Sequence, residues 1–268
     1  MKKNRILNGM AGVYSVLVFL FLYAPIAVLI ALSFNESKLR NSWGGFSLKW
    51  YASLLKNDRI MQALLTTLVL SFAAALIATI IGTLAAIAFH NMKAGVARTA
   101  LLDITYIPML NPDIVTGVAF LLLFTFAGLS LGFGTLLLAH ISFNIPYVVL
   151  SVLPKLKQMN PYTMDAALDL GMKPAQALRK VIIPEVFPGM MTGFLLALTM
   201  SIDDFAISFF TTGPGVSTLS IEIYSMTRRG INPEINALST IMFVVVLALL
   251  IFINFRAAKD DAQMINIG

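Results

Sequence analysis

Three aspartates lie inside long apolar runs of this chain. Asp113 closes Pro108-Met109-Leu110-Asn111-Pro112-Asp113, and Asp203 and Asp204 are adjacent in Ser201-Ile202-Asp203-Asp204-Phe205. An ionisable group at membrane depth is costly and marks a functional site unless it finds a structural partner. The same runs contain no Lys or Arg to match these carboxylates. An unpaired buried carboxylate either takes up a proton or attracts a cation, and a cationic solute passing along the chain would supply one. Adjacent helical residues project about 100° apart. One of Asp203 and Asp204 is therefore expected to face a path, while the other caps or pairs with a neighbouring helix. Ser201 joins the candidate path, as do Trp50 and Tyr51, whose rings could meet a cation face-on. For Asp103, close to Arg98, a structural hydrogen bond is expected instead. His90 and His140 lie near span ends and make no ligand cluster. There is no cysteine, which removes thiolate chemistry. No Gly-x-x-x-x-Gly-Lys-Ser/Thr phosphate loop is present, so nucleotide hydrolysis would belong to a partner. The chain reads as a non-enzyme with no metal, cofactor or catalytic residues of its own.

The elements that position these residues follow from composition. Charged residues make up 12% of the chain and hydrophobic ones 58%, against about a quarter charged in soluble domains. About 20 apolar residues cross a bilayer as a helix. Six such spans are expected, at about 11–33, 61–89, 100–126, 131–153, 186–211 and 238–255. None alternates in the manner of a transmembrane barrel strand, so the fold is expected to be an all-α, polytopic membrane domain covering 1–268. The run after Met1-Lys2-Lys3-Asn4-Arg5 is too long for a signal core and reads as a retained anchor. Lys and Arg concentrate at both ends and in the loops 90–99 and 154–185, which places both termini and the 154–185 segment in the cytoplasm. The outer loop 34–60 is more basic than that rule favours. The net charge of +6 is read as contact with anionic lipid rather than nucleic acid. Trp43 to Tyr51 reads mostly as an interfacial helix with its aromatics at headgroup level.

The segment 154–185 is more closely specified than a water-exposed loop requires. Asn160 suits an N-cap and Pro161 a first helical position. Asp165 suits the positive end of the helix dipole. Ala166 and Ala167 permit close approach of another surface, and Gly171 can take the positive φ that ends a helix. A second short helix is expected from Ala175 to Val181, closed by Pro184. The result is a helix–turn–helix on the cytoplasmic face.

Its spacing resembles the cytoplasmic loop of ABC importer permeases: Glu-Ala-Ala, three residues, Gly, nine residues, Ile-x-Leu-Pro. Here Ala166, Ala167, Gly171 and Pro184 match outright, and Asp165, Val181 and Ile183 replace the Glu, Ile and Leu with like character. The resemblance implies that these residues form a coupling helix docked on an ATP-binding subunit, where ATP-Mg would be bound and hydrolysed. Ser201 to Phe205 with Thr212-Gly213-Pro214, Asn111 to Val115, and Asn232 to Ala237 are similar to the spermidine/putrescine branch of that family, and to the second of its two permease subunits. That likeness implies a heterodimer with a second permease subunit, two ATP-binding subunits, and an extracellular or periplasmic polyamine-binding protein, all at the cytoplasmic membrane. The nearest alternative keeps the machine and changes the cargo to sulfate, thiamine or ferric ion. An anion would want basic residues or helix N-termini along its path. A secondary transporter or channel would use the aspartates as a proton relay but leaves the coupling signature without a role.

Overall fold

The computed structural model describes residues 2–38, 42–229, 233–245, 247–248 and 251. The described residues are nearly all helical. Four helices among them are long and apolar enough to cross a membrane: Gly12–Ser33, Asp58–Asn91, Phe133–Gln158 and Pro174–Asp203. The expected sixth span runs on past residue 251, and its far end lies outside the described residues, as do Arg256 and Lys259. The chain divides into two compact units, Met1–Met61 with Ile223–Gly268, and Gln62–Glu222.

The first unit holds α1 (Lys2–Ser33) and α2 (Lys49–Leu55). The connection between them is tied by one side chain. The Asn35 carboxamide accepts from the Gly44 amide at 2.8 Å and donates to the Ser42 carbonyl at 2.9 Å. The Trp50 indole then donates to the Asn35 carbonyl at 2.7 Å, and the Tyr51 and Ser33 hydroxyls meet at 2.7 Å. Trp50 is buried within the protein, at 4% exposure. Indole N–H groups seek a partner when buried, and the Asn35 carbonyl just past α1 provides one. In the same unit the Glu234 carboxylate, on a helix from Pro233 to Val245, accepts from Ser53 and from Asn57.

The second unit is built on α3 (Asp58–Asn91, beginning in the first unit), α4 (Val96–Leu110), α5 (Asp113–Phe126), α6 (Phe133–Gln158) and α9 (Ile183–Asp203). Small residues set how closely they pack. A Cβ on Gly82 would lie 2.7 Å from the Val148 Cβ, one on Gly193 3.0 Å from the Val148 Cα, and one on Gly189 2.9 Å from the Ser151 carbonyl oxygen. Gly189 and Gly193, four residues apart, share the face of α9 that lies against α6. In a lipid-facing protein, where burial of apolar surface drives helices together only weakly, such close backbone approach carries the association. Ala75, Ala78, Ala86, Ala197 and the valines at 148, 149, 152 and 186 fill the remaining core.

Two of the expected spans are interrupted, the third at its Pro-rich stretch and the fifth at its aspartate pair. Pro112 forces Asn111 out of the helical region to ψ 144°, and α4 and α5 meet at a bend of 109°. Pro108, inside α4, does not break it. The second interruption separates α9 from α10 (Ala206–Thr211), with Asp204 extended at ψ 127°. After α10 the chain enters α11 (Leu219–Arg229).

The segment 154–185 also differs from expectation in its boundaries. Asn160-Pro161 forms a turn, with the Asn160 carboxamide accepting from the Tyr162 amide at 3.0 Å, and α7 (Thr163–Asp169) starts only afterwards. Its end is a Schellman turn. Gly171 has φ +81°, its amide bonds the Leu168 carbonyl at 2.9 Å, and the Met172 amide bonds Ala167 at 3.2 Å. The second helix is not closed by Pro184. Instead α8 (Pro174–Ala177) passes through a π-turn at Leu178–Ile182 directly into α9. Pro184 has no N–H and its ring would strike the carbonyl four residues back. The wider turn, in which the Ile183 amide reaches the Leu178 carbonyl, absorbs that misfit without a break.

Candidate functional site

Residues at both interruptions line one cavity of about 220 Å³. Asp113, in the first turn of α5, and Asp203 and Asp204, at the end of α9, all line it. Phe143 and Tyr147 of α6, Thr199 and Met200 of α9, Pro108 of α4 and Ile207 of α10 complete the wall. Five helices of the second unit thus contribute, and the lining carries acid, aromatic and apolar groups with no Lys or Arg.

The adjacent aspartates have different surroundings. Asp204 accepts from the Ser208 amide at 2.7 Å and the Ile207 amide at 3.2 Å, which satisfies leading amides of α10. An Asp side chain competes well for backbone donors, and here it takes two amides that a continued α9 would have bonded within the helix. Its side chain is only 7% exposed. Asp203 and Asp113 are exposed, and among the described residues neither carboxylate has a hydrogen-bond partner. An acidic, aromatic-walled recess at broken helices is suited to hold an organic cation by charge and by ring faces.

Ser201 is 2% exposed and is turned away from the cavity toward His140. Sequence reasoning placed His140 near a span end without a task. It lies inside α6, fully buried, with Nδ1 at 2.6 Å from the Ser201 hydroxyl, Nε2 at 3.0 Å from the Ser208 hydroxyl, and Nε2 3.5 Å from the Asp204 carboxylate. Its sequence trace is faint: His140 and Asn144 stand one helical turn apart in an otherwise apolar run. Trp50 and Tyr51 belong to the first unit, where their polar atoms are used within the loop that follows α1; the cavity lining comes wholly from the second.

On the segment 154–185 Asp165 and Ala166 are exposed on α7, whereas Ala167 is buried at 5%. Tyr162 and Leu170 are strongly exposed, at 72% and 81%, on the same helical face as Ala166. Val181 and Ile183 are half-buried at the π-turn and its exit, and Pro184 is exposed. Met164 of α7 and Leu178 of the π-turn both pack on the core, so the segment is seated on the helical bundle.

Comparison with known proteins places this architecture. The chain belongs to the family of binding-protein-dependent transport system inner membrane components, whose model matches residues 78–259. It is a membrane permease subunit of the ABC importer type. It is 39% identical to the spermidine/putrescine transport system permease protein PotC of Haemophilus influenzae, over 91% of this chain and 95% of that one. It is 36% identical to the putrescine transport system permease protein PotI of Escherichia coli, over 84% of this chain and 82% of that one. Among solved structures, a bacterial alginate ABC transporter in complex with its pentasaccharide-bound periplasmic protein shares the fold, with a TM-score of 0.72, 18% identity, and coverage of 94% of this chain and 93% of the other.

Proposed function

We propose that this chain moves polyamines such as spermidine and putrescine inward across the cytoplasmic membrane, with Asp113 and Asp203 as the carboxylates that meet the cation. The observation that carries this reading is their meeting, from two separate helix breaks, in one aromatic-walled cavity free of cationic side chains. The names of the relatives agree with such a cargo. A flexible polycation would exchange ammonium groups between these sites, each contact weak enough to release. Asp204 shapes the break more than it contacts cargo, and Ser201 acts through it. Trp50 and Tyr51 order the outer loop.

In this reading the whole chain is one permease domain with both termini in the cytoplasm. It pairs with a second permease subunit, two ATP-binding subunits and an extracellular or periplasmic binding protein. The segment 154–185 is the coupling loop. Asp165, Ala166, Ala167 and Gly171 form the docked helix, and Val181, Ile183 and Pro184 transmit its displacement into α9. Because α8 and α9 are continuous through the π-turn, a push on α7 and α8 reaches Asp203 along one helix. ATP-Mg bound in the partner subunits would draw the two coupling loops together and open the path outward, and hydrolysis would return it.

The test is ATP-driven uptake by vesicles holding the whole complex, with spermidine, putrescine and sulfate offered separately. Uptake of the amines but not sulfate, dependent on ATP, is expected. Amine uptake without ATP, or sulfate uptake in its place, would overturn the reading.

A further inference from the structure

A helix break needs struts from outside, because no backbone ladder crosses it. At the α9–α10 break one strut is the Asp204 carboxylate, which is local. The other comes from α6, which is a continuous helix from Phe133 to Gln158. The His140 imidazole reaches Ser201, two residues before Asp203, through Nδ1 at 2.6 Å, and Ser208, at the far side of the break, through Nε2 at 3.0 Å. His140 and Ser208 are fully buried and Ser201 is 2% exposed. A hydroxyl both donates and accepts, so each serine serves its ring nitrogen in either role. The ring is also held edge-on by Phe143, at 5.2 Å between centroids, and Phe143 itself lines the cavity.

We propose that His140 is a positioning residue: its imidazole pins both sides of the α9–α10 break to α6 and thereby fixes the direction in which Asp203 faces cargo. This rests on the reading of Asp203 as a cargo contact. A single planar ring whose two nitrogens point to different partners fixes the distance between Ser201 and Ser208, the two serines that flank Asp203 and the break, and Ile207 packs beside it on Ala139 and Phe143 of the same helix.

A double-mutant cycle on transport by the full complex tests this. KM and maximal rate for ATP-driven spermidine uptake would be measured, per assembled complex, for His140→Phe, His140→Gln and Ser208→Ala, each with and without Asp203→Asn. His140→Phe keeps the volume and removes both hydrogen bonds. It is expected to raise KM roughly tenfold, the scale of coupling between neighbouring residues. His140→Gln, which can still donate and accept, should recover most of that loss, and Ser208→Ala, lacking one strut, should show a smaller rise. In the Asp203→Asn background none of the three should raise KM further. If His140→Phe does not assemble, Ser208→Ala carries the same cycle. KM increases that persist in the Asp203→Asn background, or a lower maximal rate at unchanged KM, would leave the imidazole a purely structural part and overturn the inference alone. An unchanged KM in Asp203→Asn by itself would overturn the cargo contact, and the inference with it.

Discussion

Asp204 accepts two amides of α10, while its neighbour Asp203 stands exposed at the cavity with no described partner. The two should therefore fail differently when changed. Asp203→Asn keeps shape and removes charge. A hydrogen bond to a charged group contributes about 1.5–3 kcal/mol, so KM for a polyamine should rise by roughly 10- to 100-fold with the protein folded as before. Asp204→Ala removes a cap, which costs about 0.5–2 kcal/mol. It should lower the melting temperature of the purified protein. Equal loss of stability in both, read by thermal unfolding in detergent, would contradict this division of roles. The composition and the lack of basic residues in the spans already pointed to Asp113, Asp203 and Asp204. Which of the adjacent pair is occupied by the backbone could not be read, because that depends on where α9 stops. His140 was illegible for a related reason. Its partners lie 61 and 68 residues further along the chain, and a lone histidine in an apolar run carries no local sign of them.

At the scale of elements, the segment 154–185, proposed to be the coupling loop, was legible where its chemistry is local. The Gly171 turn follows from helix-ending rules alone, and the structure shows it at φ +81°. A side chain with a branched Cβ is poorly tolerated there, whereas Asn visits this region readily. Gly171→Val should thus uncouple ATP hydrolysis from uptake and Gly171→Asn should largely retain coupling, as measured by amines moved per ATP hydrolysed. The same loss in both variants would show that space at Gly171, not its backbone angle, is what matters. The π-turn was not legible, since Pro184 is compatible either with a stop or with a widened turn, and packing of Ile182 and Val186 into the core selects the second. The glycines of α9 make a further prediction at this scale. Gly193→Leu would drive side-chain atoms into the Val148 backbone, 3.0 Å from the position of a Cβ. Overpacking of this kind costs typically 1–3 kcal/mol, and the variant should melt well below the parent. An unchanged melting temperature would mean that α6 and α9 can separate at no cost.

For the molecule as a whole, the architecture joins two ends of one continuous helical path. The segment proposed to couple to the ATP-binding subunits lies at its start, and α9 ends at Asp203 in the cavity. Family membership fixes the class of machine, and the carboxylate cavity supports its cargo. Uptake of radiolabelled spermidine by vesicles containing the complete complex tests that link most directly, comparing the parent with Asp113→Asn/Asp203→Asn at matched amounts of assembled transporter. The account predicts ATP-dependent uptake by the parent and its near-complete loss in the double variant at micromolar spermidine. Parent-like uptake by the double variant would contradict it.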